Sequence, residues 1–526
     1  MLCSTIFSDC IPTSYCRSDF KSLASALSPS SRSRSFRACI RLCSPSFFSL
    51  SPSLTIKMEP LEVPLAPEAT FVRMRKDYSR SLLQLEPSQQ PTWGRASRGS
   101  WMRSVGSLFL VMFAPTLVIS TTVTLSAFQG SLYEFLKAAI QDGLISVVWS
   151  NWPQFSLKVT GVFTLWVMFQ GILFRYLPGP THHGQRSPAG NLLTYRTNGL
   201  NAWLVTHAFA AALCYFDVLD PAFIPKNWGG LVLSMNAAGL VLSVLAFIKA
   251  HLRPTHADDR KFSGSVLYDL YMGIELNPRI WGDFDLKLFT NGRPGIIAWT
   301  LIDLSNIAYQ YEIHGCIDPN IVLVTILHAV YVLDFFVNES WYLRTIDIAH
   351  DHFGFYLAWG SFVWLPSMYT IQAQYLGLYP TATSTIHQVA IFSIGVAGYT
   401  IFRSVNSQKD RVRRSNGRCS IWGKPAKVLV ASYKTSDGQS HQSLLICSGW
   451  WGWSRHANYL GDLLLSSAMC ALVGSDKCLV WFYAIFMTIL LVHRCIRDEA
   501  RCSEKYGAIW EEYCKTVPWR ILPGVW

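Results

Sequence analysis

Charge is scarce in this 526-residue chain, where Asp, Glu, Lys and Arg make up 15% of the residues against about 25% in a soluble domain. The sequence contains no G-x-G-x-x-G, no G-x-x-x-x-G-K-[ST], no G-x-S-x-G and no H-E-x-x-H. Rossmann and P-loop nucleotide sites, the serine-hydrolase elbow and the zincin site are thereby excluded. Cysteines number 14, but five of them (Cys3, Cys10, Cys16, Cys39, Cys43) fall before Met58 and none forms a C-x-x-C pair. Neither a zinc site nor a disulfide framework is indicated. What the chain has in place of charge is apolar surface: 50% of it is AVILMFWYC, 14% is aromatic, and the mean hydropathy is +0.23. This composition rules out disorder and argues against an ordinary cytosolic enzyme. It predicts an all-α polytopic membrane protein whose spans each need roughly 20 mostly apolar residues.

The net charge of +12 is concentrated near the N-terminus, in the loop 403–427 and in the C-terminal tail. That clustering fits cytoplasmic segments flanking membrane spans better than a nucleic-acid surface. Apolar segments at 105–125, 157–177, 199–219, 228–248, 294–310, 319–338, 353–372, 383–402, 455–473 and 477–493 give about ten spans. An even number puts both termini on one side, together with the loop 403–427, which holds eight Lys or Arg against the single Asp410. The positive-inside rule makes that side cytoplasmic. Residues 1–57 are rich in Ser, Arg and Cys, with no segment long enough to span. They read as a disordered or artefactual extension ahead of Met58, with a transit peptide as the alternative. A polar region 58–104 precedes the membrane domain 105–526.

Ionisable groups inside apolar segments are costly, so Asp303, His328, Tyr331 and Asp334, with Glu339, Asp347, His350, Asp351 and His352 just beyond, place the chemistry in the second half. Lys409 and Arg413, four apart, share one helix face. They suit either a phosphate grip or a basic stop-transfer cluster against lipid headgroups. The stretch S-G-W-W-G-W-S-R-H-A-N-Y-L-G-D (448–462), followed by R-C-I-R-D-E (494–499), C-S-E-K-Y (502–506) and W-E-E-Y (510–513), supplies aromatic planes, amides and cations for a cytoplasm-facing cofactor cleft. An interfacial aromatic belt accounts for the Trp residues but not for Asn458, Asp462 and Asp498. The His350-Asp351-His352 triplet lacks further ligands at a metal-site spacing, and no metal is expected.

The segments G-I-E-L-N-P-R, F-D-L-K-L-F-x-N-G-R-P-G-I, W-Y-L-R-T-I-D-I-A-H-D-H-F-G-F-Y-L-A-W-G, G-W-W-G-W-S-R-H-A-N-Y-L-G-D and H-R-C-I-R-D-E-A-R-C-S-E-K-Y-G, in this order from about Trp93 to Trp526, resemble the sterol reductases of the endoplasmic reticulum. The resemblance implies a ten-helix enzyme of the endoplasmic reticulum membrane that uses NADPH to reduce the C7–C8 double bond of 7-dehydrocholesterol, giving cholesterol. Its sterol pocket would lie mainly in 270–400 and its NADPH-binding part in 403–526. The family's NADPH-contacting positions match at Lys409, Arg413, Trp451, Asn458, Tyr459, Asp498, Cys502, Lys505, Tyr506 and Tyr513. Ile446 replaces a leucine, and Ala500, Ser503 and Glu504 diverge, with Ser503 and Glu504 still counted among the cofactor positions. A pairing with sterol isomerase is a family-level expectation.

A hydride finds no electrophile in an alkene, so an acid must act first; protonating a Δ5,7-diene at C8 leaves an allylic cation at C7. Tyr331 is the expected acid, with Asp334 or Glu339 as its hydrogen-bond partner, and Asp347, His350 and Tyr369 as alternatives. The rival functions are sterol C14 reduction, C24 reduction, an isoprenylcysteine-type methyltransferase suggested by R-H-x-N-Y-x-G-D, and a non-catalytic sterol-binding protein.

Overall fold

The computed structural model describes residues 100–434 and 440–526. The extension expected at 1–57 and almost all of the polar region 58–104 lie outside the described residues. Among the described residues six helices are long and apolar enough to cross a membrane: Trp101–Ala127, Leu157–Tyr176, Trp228–Leu252, Pro319–Val337, Thr385–Arg414 and Cys478–Tyr506. Their starts follow capping chemistry, since the side chains of Ser100, Ser156 and Ser384 each accept the backbone N–H three residues on. Asp318 caps the helix opened by Pro319.

The other four expected spans are helical but shorter, more polar or interrupted. Gly199–Tyr215 and Ala457–Val473 have 17 residues each. Pro294–His314 has 21 residues but carries Asp303, Asn306, Gln310 and Glu312, which lower its hydropathy. The segment expected at 353–372 is assembled from Phe355–Trp359, a π-helical turn Gly360–Trp364, Leu365–Met368 and the start of Ile371–Leu378. Pro366 removes a donor within it, and the wider turn absorbs the misfit.

The chain is mostly helical, as expected, with a few short strands that the all-α expectation did not include: four two-stranded antiparallel pairs among the described residues. The longest joins Val428–Lys434 to Ser440–Ile446, with Val428 opposite Ile446 and Lys434 opposite Ser440. Alternation in V-L-V-A-S-Y-K puts Ala431 inward and Ser432 outward, the period of a half-buried strand.

The Thr385–Arg414 helix packs closely on Ala457–Val473 because both offer glycine at the crossing. A Cβ on Gly398 would meet the Gly461 carbonyl oxygen at 2.7 Å, and one on Gly461 would meet the Phe402 nitrogen at 2.6 Å. Such contact needs a residue without a side chain. The main apolar core joins these helices to Trp101–Ala127, Pro319–Val337 and Cys478–Tyr506 through Val118, Leu327, Leu465, Met469 and Tyr483, all nearly inaccessible.

Candidate functional site

The helix Thr385–Arg414 runs on past its apolar part and carries Lys409 and Arg413 one turn apart, while Val405 and Val412 on the same helix pack inward. The short helix Trp450–Trp453 lies against it. Trp451 donates its indole N–H to the Val405 carbonyl at 3.0 Å, and the Lys409 ammonium stands 4.2 Å from the centre of that ring. This cation–π contact fixes the lysine beside an aromatic plane. Ile446, Val405, Val412, Ile421 and Ala457 close a small core around Trp451, so Ile446 supports the ring from behind.

Opposite stands the last long helix, Cys478–Tyr506. Asp498, Cys502, Lys505 and Tyr506 recur at helical spacing on one of its faces. Asp498 pairs with Arg501; the Cys502 thiol lies 3.9 Å from the Asp498 carboxylate, and His456 Nε2 also lies 3.9 Å from it. The Lys505 ammonium sits 3.7 Å over the Tyr433 ring and 5.3 Å from that of Tyr506. Tyr513 and Cys502 are buried with Trp510 and Val517 against Leu429 and Leu445 of the strand pair, and burial pushes the Tyr513 phenol upward.

His456 stacks on Tyr459 with ring centres 5.0 Å apart, and burial pulls its imidazole down to about 4. It is neutral near pH 7 and able to accept or donate one hydrogen bond on each side. His456 Nε2, Asn458 Oδ1 and Arg501 Nε are buried without hydrogen-bond partners. Buried polar atoms normally have partners, and three such atoms beside Lys409 and Asp498 fit a polar nucleotide-like group.

The structure thus brings Lys409, Arg413, Trp451, Asn458, Tyr459, Asp498, Cys502, Lys505 and Tyr506 to one region, with Ile446 and Tyr513 in its walls. Ser503 and Glu504 do not join them. Both are exposed, and Glu504 turns to a second cavity of about 910 Å³. That cavity lies along the first helix, with Phe113, Tyr271, Phe355, Trp359 and Trp364 as apolar walls and His350, Asp351, Arg497 and Arg501 at its polar end. Arg497 and Glu504 line this cavity while Asp498 and Cys502 lie on the side of His456 and the strand pair, so one helix contributes to both.

The expected catalytic group is divided. Asp334 is held by Arg403 at 2.9 Å and by the Tyr399 hydroxyl at 3.0 Å. Glu339 pairs with the fully buried Arg293 at 2.6 Å and accepts the Gly199 N–H. Both carboxylates therefore have structural partners, and the expected Tyr331–Asp334 and Tyr331–Glu339 hydrogen bonds are absent among the described residues. Tyr331 packs on Trp299, which also touches His328 and Tyr369. Asp462 is buried one turn beyond Asn458 on the helix Ala457–Val473. Of the alternatives, Asp347 pairs with Arg494 at 3.2 Å, and His350 lines the 910 Å³ cavity, where burial holds its imidazole well below the usual range.

Sequence reasoning gave Asp462 no part in the proton step, although it is buried on the helix Ala457–Val473, four residues after Asn458. It also missed Lys287. This fully buried ammonium donates to the carbonyls of Ile348 at 2.8 Å and Asp351 at 2.6 Å and is pulled down to about 8 by burial. Nothing in F-D-L-K-L-F announces a buried cation. Arg455, one of the cations of the 448–462 stretch, instead binds Glu499 at 2.5 Å and the carbonyls of Val517 and Pro518, tying the C-terminal tail to the last long helix.

Residues 96–526 match the model of the ergosterol biosynthesis ERG4/ERG24 family. The chain is 45% identical over 472 residues to the 7-dehydrocholesterol reductase of Danio rerio, covering 86% of this chain and 99% of that protein. It is 46% identical over 446 residues to the 7-dehydrocholesterol reductase of Xenopus laevis, covering 82% and 94%. A Delta(14)-sterol reductase from Methylotuvimicrobium alcaliphilum is 38% identical over 424 residues, covering 80% and 94%.

Proposed function

The chain belongs to the ergosterol biosynthesis ERG4/ERG24 family of sterol reductases, and on that premise we propose that it reduces the C7–C8 double bond of 7-dehydrocholesterol to give cholesterol. The observation that carries this reading is the near full-length similarity to two vertebrate relatives of that name, stronger than that to the C14 reductase. The reduced nucleotide that such a reductase needs is NADPH in our reading, held by Lys409 and Arg413 at its phosphates and by Trp451, Asn458, Tyr459, Asp498, Cys502, Lys505, Tyr506 and Tyr513 around the remainder. When bound, it supplies the hydride. The cavity beside the first helix takes the sterol, since its volume falls within the roughly 300–1,000 Å³ of small-ligand sites and its walls are aromatic.

The chain's own contribution is the proton and a dry site. In this reading Tyr331, which packs on Trp299 and is not among the residues that line that cavity, delivers the proton to C8, and Asp462 rather than the already paired Asp334 or Glu339 is the acidic group that supports it. Trp299 and Tyr369 exclude water around the phenol, which keeps the allylic cation from hydration. The enzyme lies in the endoplasmic reticulum membrane with about ten crossings and both termini cytoplasmic, a reading supported by the basic segment 403–427; a sterol isomerase is the partner that accompanies it.

Sterol profiling of cells that lack endogenous 7-dehydrocholesterol reductase, expressing this chain from Met1 or from Met58, tests the function. Loss of 7-dehydrocholesterol with appearance of cholesterol is the expected result. Persistence of 7-dehydrocholesterol with consumption of a C14-unsaturated sterol would transfer the chain to the C14 reductases.

A further inference from the structure

Trp451 is buried in the small core beside Lys409, whereas on the same short helix Trp450 is only partly buried and Trp453 is exposed. Trp450 and Trp453 lie with ring centres 5.7 Å apart, and Trp422, from the turn between Ser420–Ile421 and Lys424–Pro425, meets Trp450 edge-on at 5.5 Å. Trp422 is 65% exposed and Trp453 45%. Trp422 also has φ 49°, followed by Gly423 at 77°. Two left-handed residues at a two-residue hairpin are what Asn-Gly provides without strain, whereas a bulky side chain there is an outlier. Such strain at an exposed tip points to a role for the ring itself.

The depth of this patch follows from helix geometry. The apolar part of the Thr385–Arg414 helix, 383–402 with its lead-in, has the roughly 20 residues that cross a hydrocarbon core. Trp450 donates its indole N–H to Ser404 at 3.0 Å and its backbone N–H to Gln408 at 2.9 Å. The tryptophans are therefore level with the first turn beyond the core, where headgroups lie. Around them Arg411, Arg418, Lys424 and Lys427 are exposed, and residues 411–434 contain no Asp or Glu.

We propose that this tryptophan patch and its basic flank form a lipid-headgroup docking surface, seated on negatively charged lipid, that braces the wall of the nucleotide cleft. The link is short: Trp450 and Trp451 are adjacent, and Trp451 carries Lys409 on its ring. Basic residues near an anionic surface are attracted to it, and Trp is favoured at this depth. The inference rests on the cofactor reading only for its catalytic consequence.

The test uses the full chain in nanodiscs of phosphatidylcholine alone or mixed with phosphatidylserine. Bromolipid quenching of tryptophan emission is compared between wild type and a Trp422→Asn, Trp453→Ser variant, in which Asn relieves the turn and so does not threaten folding. The quenched share is expected to fall in the variant. In the wild type, omission of phosphatidylserine is expected to raise the KM for NADPH severalfold, and Lys424→Glu with Lys427→Glu is expected to remove that dependence. Unchanged quenching in the tryptophan variant, or lipid dependence that survives charge reversal, would overturn the proposal. Quenching requires no turnover, so it reports on docking even if the sterol chemistry assigned above were wrong.

Discussion

Arg497, on the last long helix, lies 2.5 Å from the buried carboxylate of Asp351. That bond joins the polar end of the sterol-sized cavity to the helix whose other face carries Asp498, Cys502 and Lys505. Lys287 holds the same loop from below through two carbonyls, so cavity and cleft share one frame.

Asp351→Asn should weaken the hold on Arg497, and because that guanidinium is 30% exposed the cost should fall below the about 3–5 kcal/mol of breaking a fully buried pair. The thermal midpoint in detergent is expected to fall, and the KM for the sterol should rise more than that for NADPH. Steady-state kinetics with each substrate varied separately checks this.

Lys409→Ala and Arg413→Ala should each raise the KM for NADPH by roughly ten- to a hundredfold, since a hydrogen bond to a charged group contributes about 1.5–3 kcal/mol. Lys409→Arg should restore part of the loss, because the cation over Trp451 remains. Little change in kcat is expected in a single-turnover comparison at saturating NADPH.

Tyr331→Phe should lower kcat by about a hundredfold or more, the usual contribution of a positioned general acid, with NADPH affinity unaltered. Asp462→Asn should act in the same direction, whereas Asp334→Asn should lower stability through Arg403 and leave the proton step largely intact. Turnover of Tyr331→Phe at the wild-type rate would remove this residue from the mechanism.

Burial lowers His456 to about 4 and Lys287 to about 8 in the folded chain, while the unfolded groups titrate at their ordinary values. Between about pH 4 and 6.5 the unfolded chain binds the additional proton at His456, so stability rises with pH there and is lost on acidification. The same sign holds for Lys287 between about pH 8 and 10.5. Thermal midpoints are expected to climb across both windows, and His456→Gln should flatten the acidic one.

Gly398→Val and Gly461→Ala would each drive a side chain into backbone of the partner helix, at 2.7 Å and 2.5 Å from carbonyl oxygens. Overpacking of this kind costs about 1–3 kcal/mol or more. The yield of folded protein by size-exclusion chromatography should drop for both.

Much of this architecture was legible because a membrane span and an amphipathic spacing are local properties. Lys409 and Arg413 fall four apart, so their shared helix face was visible in the sequence, whereas Asp498, Cys502 and Lys505 were picked out by the family resemblance and only the structure shows them on one face of the last long helix. The contrast is Asp334 and Glu339: near Tyr331 in sequence, yet claimed by Arg403 and Arg293 from distant segments. Pairing across the fold is not written in spacing. Ser503 and Glu504 failed for a related reason, since sequence neighbours on a helix point in different directions. The strand pair 428–446 escaped notice because its alternation is short and sits between two far stronger apolar helices.

The partition of the last long helix has a consequence for inheritance. With 3.6 residues per turn, one residue added or lost between Arg494 and Tyr506 would rotate everything beyond it by about 100°. Asp498, Cys502 and Lys505 would turn away from their present neighbours while the tail anchored by Arg455 resisted the turn. Related genes can therefore exchange residues along this stretch, but insertions and deletions within it should be purged, leaving a run of fixed length even where identities diverge.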